Sequence, residues 1–219
     1  MPIPNKTADD LPKTAKERVY FQLKEWIIDG TLKPDERISD QEIAQYFSVS
    51  RTPIREALQL LKEQNLVCIF PGRESRIAPV NTKNICQIYH MISELHVLAV
   101  RFAYPEITEE ILEELQTINR QFSDVLHSGD PKRLRELDNR FHNVFFRVAD
   151  NVFLSNFAEI LHIHTERVEN LFFSGKPHNH ENSAAKHQAI IDALKNQDPD
   201  GAMEAMRQNW ADTINAFQQ

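Results

Sequence analysis

The chain has 219 residues, 25 Lys and Arg against 32 Asp and Glu, a formal charge of −7, and 41% apolar side chains, enough to bury a sizeable core and to exclude disorder. Two cysteines, Cys68 and Cys86, exclude a disulfide scaffold, and no segment reads as a secretory leader. No apolar run approaches the roughly 20 residues of a membrane-spanning helix, so a soluble, cytoplasmic protein with no membrane partner is expected.

Residues 1–12 carry no periodic apolar pattern and read as a flexible N-terminal arm. Thr14 and Glu17 have capping-box spacing, and Val19, Leu23, Trp26 and Ile27 recur at helical intervals up to Gly30, a stop signal. After the turn Lys33-Pro34-Asp35, Ser39 and Glu42 repeat that spacing ahead of Ile43, Tyr46 and Phe47, which predicts a helix of about two turns. A third helix follows at once, with Ser50 as N-cap and Ile54, Leu58 and Leu61 as its apolar stripe to Asn65. Residues 66–70 and 75–79 read as two short strands joined by the hairpin turn Pro71-Gly72-Arg73-Glu74.

From Asn81 onward the pattern is helical throughout, with spans of about 82–104, 108–128, 131–149, 152–174, 181–196 and 199–217. Asp130-Pro131 and Asp198-Pro199 each place a capping residue before a proline at the first helical position. The expected fold is mainly α: a winged helix-turn-helix over 13–80, then an all-α antiparallel helical bundle over 81–219.

The net charge argues against a nucleic-acid partner only as a sum. Residues 1–80 hold 12 basic and 12 acidic side chains, so the whole excess of acid lies in 81–219, as do all nine histidines. That asymmetry separates two modules with different work and leaves the first free to meet DNA.

In a winged helix-turn-helix the second helix of the motif enters the major groove. Arg51 and Arg55 lie four apart, so both project from one face of that helix and can reach phosphates or pair with guanine. Ser50 and Thr52 can bond phosphate at the helix N-terminus. Gly72 permits a tight wing tip, which would carry Arg73 to the minor groove or backbone. The competing reading is a solvated helix whose arginines pair with Glu56 or Asp40.

The stretch IIDGTLKPDERISDQEIAQYFSVSRTPIREALQLLKEQNLV resembles the DNA-binding domain of GntR-type bacterial transcription regulators, over about 60 residues, with SRTPIREAL as the specific motif. The resemblance implies that Arg51, Thr52 and Arg55 are the principal DNA contacts, with Gly72 and Arg73 in the wing. Gln41 stands where the family often has an arginine, so a contact there is weaker or of another kind.

In the helical half, Asp138 and His142 share a helix face at a spacing of four, and His187 sits among Ala189, Ile190, Ile191 and Leu194. One Asp and two His from neighbouring helices are a reasonable donor set for a divalent transition metal; a buried Asp bonded to a His is the structural alternative. This half resembles the FCD ligand-binding domain of the FadR subfamily, in which an Asp and three His commonly hold a metal that an organic acid completes. The resemblance implies Asp138, His142 and His187 as ligands for Zn or Ni, with Asn209 where the fourth histidine is usual; its amide oxygen is a poorer donor than imidazole. Ile92 and His96 stand where the family's first helix has arginine and glutamate, which points to a less charged or more apolar ligand. Arg140, Arg167 and His164, with Arg147, are the candidate effector contacts, a surface position being the alternative for each.

Phe141, Phe145, Phe146, Phe172 and Phe173 read as core. His162 and His164 point about 200° apart and cannot readily share one metal; His178 and His180 read as solvent-exposed loop residues.

The expected function is a transcription regulator that binds palindromic double-stranded operator DNA as a homodimer, under control of a small-molecule effector in the helical domain, with a metal ion as the bridging element. The alternatives are a metal-dependent enzyme using Asp138, His142 and His187, and a DNA-binding dimer with a vestigial pocket. No general acid, base or nucleophile motif is placed for catalysis, so no catalytic residue and no enzymatic activity are expected.

Overall fold

The computed structural model describes residues 14–70, 74–126, 130–172 and 182–216. The chain divides into two compact units, Met1–Val80 and Asn81–Gln219.

In the first unit, α1 (Ala15–Ile28) begins at a capping box: Glu17 N–H donates to Thr14 Oγ1 at 3.2 Å, and Thr14 N–H donates to Glu17 Oε2 at 2.8 Å. Its Val19, Leu23 and Ile27 are buried, and the helix stops where Gly30 takes a positive φ of 81°. Strand β1 (Arg37–Ile38) precedes α2 (Asp40–Phe47), which Ser39 caps by accepting from Glu42 N–H. Ser48, left-handed at φ 53°, turns the chain into α3 (Arg51–Glu63), whose Ile54, Ala57, Leu58 and Leu61 complete the core against α1. Strands β2 (Val67–Cys68) and β3 (Ser75–Ile77) follow.

The expected two-stranded ribbon is part of a three-stranded antiparallel sheet in the order β1-β3-β2. Strand β1 was not foreseen because two residues carry no alternation, and its existence depends on pairing with β3 far along the chain. The paired segments are also shorter than the expected 66–70 and 75–79. Tyr46, one of the apolar residues that mark α2 in the sequence, is 69% exposed and packs edge-on against Trp26 and Phe47.

The second unit comprises α4 (Thr82–Ala103), a single 3-10 turn (Tyr104–Glu106), α5 (Glu109–Leu126), α6 (Pro131–Ala149), α7 (Val152–Phe172), α8 (Ser183–Lys195) and α9 (Pro199–Ala216). Asp130 caps α6 by accepting from the Lys132 and Arg133 N–H groups, with Pro131 at the first helical position as the sequence indicates. Helix α4 packs against α6, α7 and α9, and α8 against α5 and α9. The core holds Phe141, Phe145 and Phe146 as expected, together with Phe122, Ile190, Ile191 and Met206. Phe173, His178 and His180 lie outside the described residues, as does the Phe172 side chain. Among the described residues no helix is long and apolar enough to cross a membrane.

Candidate functional site

Two sites emerge, one in each unit. In the first, Ser50 starts α3 without a side-chain capping bond, and Ser50, Arg51, Thr52 and Arg55 are all exposed. Helix α2 holds both arginines: Arg51 Nη2 donates to Gln41 Oε1 at 3.1 Å, and Arg55 Nε donates to Asp40 Oδ2 at 3.1 Å. Exposed pairs of this kind contribute about 0–1 kcal/mol, so the guanidinium groups can exchange them for a stronger anionic partner at little cost. These residues border an open groove of about 1030 Å³ that also presents Arg37 and Arg76 from the sheet. Arg37 pairs with Glu74, and Arg76 donates to Glu74 Oε1 and to the Asp35 carbonyl, each at 3.0 Å. The sequence reading did not single out Arg37 and Arg76, because their common edge exists only through the β1–β3 pairing. Gly72 and Arg73 lie outside the described residues.

In the second unit, α6 and α8 bring Asp138, His142 and His187 together, with one donor atom from each within 4.8 Å of the others. Asp138 directs Oδ1 to His187 Nε2 at 3.3 Å and Oδ2 towards His142 Nε2 at 3.9 Å. His187 is fully buried, its ring stacked on Phe141 at 3.9 Å between centroids and 17° between planes. Among the described residues neither of its ring nitrogens makes a hydrogen bond. A buried imidazole without a hydrogen bond is costly, so this ring fits a ligand that the side chains themselves do not supply. Asn209 on α9 brings Nδ2 to 3.2 Å from His142 Nε2. A half-turn of its amide places the oxygen there instead, giving a fourth donor of the kind the sequence reading expects.

Behind this cluster stands a row of imidazoles that sequence reasoning did not assemble. His142 Nδ1 is 3.2 Å from His96 Nδ1, and His96 Nε2 is 3.1 Å from His162 Nε2. Burial is the leading cause that holds all three neutral, pushing His142 down to about 3, His162 to about 4, and His96 well below its ordinary value.

Asp138, His142, His162, Asn209 and Trp210 border a cleft of about 570 Å³. Carboxylates outnumber cations on its walls, with Asp138, Glu159, Glu166 and Glu169 against Arg135 and Lys186. Burial pushes Glu169 up to about 7, although it accepts a hydrogen bond from Tyr89 Oη at 3.2 Å. Arg140, His164 and Arg167 are not among the lining residues: Arg140 is exposed, His164 is half-buried and Arg167 is 2% exposed. Arg147 pairs with Glu114 on the surface. The signal that could have found the α7 wall is a helical stripe of polar residues, Ser155, Glu159, His162, Glu166 and Glu169, which separates His162 from His164.

The gntR family model of bacterial regulatory proteins matches residues 15–77, and the FCD domain model matches residues 87–212. The HTH-type transcriptional regulator YdhC of Bacillus subtilis (strain 168) is 30% identical over 198 residues, covering 89% of this chain and 87% of that protein. The HTH-type transcriptional regulator McbR of Escherichia coli (strain K12) is 25% identical over 199 residues, covering 89% and 90%. The solved structure of E. coli McbR/YncC shares the fold, with a TM-score of 0.75 at 22% identity, over 95% of this chain and 99% of that one. A winged helix-turn-helix joined to an FCD domain, in a chain whose relatives are named transcriptional regulators, makes this protein a DNA-binding transcriptional regulator of the GntR family.

Proposed function

We propose that this regulator binds a palindromic operator as a homodimer, and that a small molecule in the FCD cleft sets its operator affinity through a divalent ion held by Asp138, His142 and His187. The observation that carries this reading is the convergence of those three side chains, two of which, Asp138 and His142, line the cleft, with the buried His187 ring making no hydrogen bond. The donor set, two imidazoles and a carboxylate with an amide beside them, suits Zn or Ni. Such an ion supplies positive charge and open coordination positions for an oxygen donor. Asp138 spans the two histidines with one oxygen directed at each, Phe141 fixes the plane of the His187 ring, and Asn209 closes the fourth side.

The acidic walls repel an anion that enters alone. An organic acid and the ion therefore bind as a pair, the ion offsetting Asp138 and its neighbours while Arg135 and Lys186 meet the remaining charge. Arg140, His164 and Arg167 take no direct part in this version of the site, since none lines the cleft.

On the DNA side, Arg51, Thr52 and Arg55 read the operator, with the Ser50 hydroxyl on a phosphate and Gly72 and Arg73 at the wing. Arg51 and Arg55 exchange Gln41 and Asp40 for DNA as they dock. The dimer reading draws support from Val152, Phe153 and Phe157 near the start of α7, which are 63%, 74% and 60% exposed. Large apolar groups so close together on a surface mark an interaction site. By linkage, an effector that weakens operator binding must bind more weakly to the DNA complex.

The test is operator binding by the full chain, followed by fluorescence anisotropy on selected duplexes with and without Zn²⁺ and a panel of organic acids. Expected is a sequence-specific complex whose affinity changes only when ion and acid are both present. Operator affinity indifferent to every combination, with no ion retained on the protein, overturns the effector reading and leaves the family assignment untouched.

A further inference from the structure

His96, His142 and His162 come from three different helices, α4, α6 and α7, and their ring nitrogens meet in a row, Nδ1 to Nδ1 at 3.2 Å and Nε2 to Nε2 at 3.1 Å. The middle ring is sealed in: His96 is 1% exposed and is flanked edge-on by Phe146 at 4.9 Å and Trp210 at 4.8 Å. A neutral imidazole carries one N–H and one bare nitrogen, and each contact in the row needs one of each. Only two arrangements satisfy both contacts. In the first, His142 Nδ1–H donates to His96 Nδ1, His96 Nε2–H donates to His162 Nε2, and His162 keeps its proton on Nδ1. In the second every bond is reversed, so that His142 carries its proton on Nε2 and His162 Nδ1 is bare.

We propose that this row is a tautomer relay, in which a divalent ion on His142 Nε2 selects the first arrangement and thereby makes His162 Nδ1 a hydrogen-bond donor in the cleft. The inference rests on the reading that Asp138, His142 and His187 hold an ion. A metal ligand must present a bare nitrogen, and the second arrangement places a proton on the one nitrogen of His142 that faces Asp138. The exchange is balanced. With an ion held at His142 Nε2, the proton there would be released to solvent, the His96 Nδ1 proton would pass to His142 Nδ1, the His162 Nε2 proton to His96 Nε2, and His162 Nδ1 would take one from water. Each ring stays neutral, so the signal crosses the buried His96 with no charge placed in the core.

The consequence concerns specificity. His162 lines the cleft, and among the described residues its Nδ1 has no hydrogen-bond partner. The ion-loaded cleft therefore offers a donor suited to a carboxylate or carbonyl oxygen, while the second arrangement, open only to the ion-free cleft, offers an acceptor to the same ligand and disfavours it. His96 and His162 are positioning and specificity residues here, acting beside the ion rather than on it.

Long-range 1H–15N NMR of the full chain labelled in its histidine rings, treated with chelator and then with one equivalent of Zn²⁺ alone, reads the proton position on each nitrogen. Expected on Zn²⁺ uptake, measured separately by elemental analysis, is an Nδ1-protonated, Nε2-bare His162. Uptake of Zn²⁺ with His162 unchanged overturns the relay and leaves the ion site standing, whereas absence of uptake overturns both. The wild-type spectra decide the matter alone. In His96→Phe, which suits the aromatic surroundings, Zn²⁺ affinity is expected to fall roughly 10- to 100-fold and His162 to stop responding to Zn²⁺. A persistent response in that variant shows that His96 does not carry the signal.

Discussion

Asn209 Nδ2 lies 3.2 Å from His142 Nε2, so α9 places its amide against the nitrogen that faces Asp138. The backbone position for a fourth donor is therefore present, with a weak donor occupying it. Asn209→His is expected to tighten Zn²⁺ binding by about tenfold or more, equivalent to roughly 1.4 kcal/mol, with the fold unchanged. Competition against a chromophoric chelator measures this. An affinity no tighter than that of the wild type removes Asn209 from the coordination shell.

Acid should destabilise the ion-free protein. His96, His142 and His162 are held below the ordinary histidine value of 6.5 by burial, while Glu169 is pushed up to about 7. Between about pH 4.5 and 6.5 the unfolded chain therefore binds three histidine protons that the folded chain refuses, and the folded chain retains one on Glu169. The difference is about two protons in favour of the unfolded state, so stability is full above the unfolded histidine value and is lost as pH falls below it. Urea midpoints of chelator-treated protein at pH 7.5, 6 and 5 should decrease in that order. A midpoint that rises on acidification would mean the histidines are not buried as a neutral group.

Arg51→Ala is expected to cost about 1–3 kcal/mol in operator affinity if the guanidinium reads a base, and to leave thermal stability within about 0.5 kcal/mol because the side chain is exposed. The loss should be confined to operator sequence, with the salt dependence of non-specific binding nearly preserved. Unchanged operator affinity moves the reading surface elsewhere on the groove, towards Arg37 and Arg76.

Much of this was legible in the chain because it depends on short-range pattern. The Thr14–Glu17 box, the Asp130-Pro131 start and the stripe Ile54, Leu58, Leu61 all act within a helical turn or two, and all appear where the sequence indicates. The pairing of Asp138 with His142 is equally local; His187 is added on residue type, as a histidine on another apolar helix, and the family resemblance supports the same set. What spacing could not show was contact between distant segments. Strand β1 needs β3, and His96 becomes a relay candidate only when α4 and α7 close on α6. His162 was set aside by its proximity to His164, a comparison within one helix that hid its match to the polar stripe on the cleft wall.

Phe153 and Phe157, one helical turn apart on α7, are 74% and 60% exposed. If they form part of the dimer interface, Phe153→Asp with Phe157→Asp should yield a monomer in analytical ultracentrifugation and weaken operator binding, with helicity retained. A variant that sediments as the wild type does removes these two phenylalanines from any dimer contact.

The β1–β3 ladder pairs Arg37 with Arg76 and Ile38 with Ser75, so the segment leading into α2 and the central strand of the sheet share one set of backbone hydrogen bonds. β3 is in turn paired to β2, which follows directly from α3. The parts that face the groove are thus cross-linked at both ends, and none can tilt without breaking strand pairing. Under the proposed effector control, a module tied in this way is expected to respond as one piece, its reading surface keeping its shape.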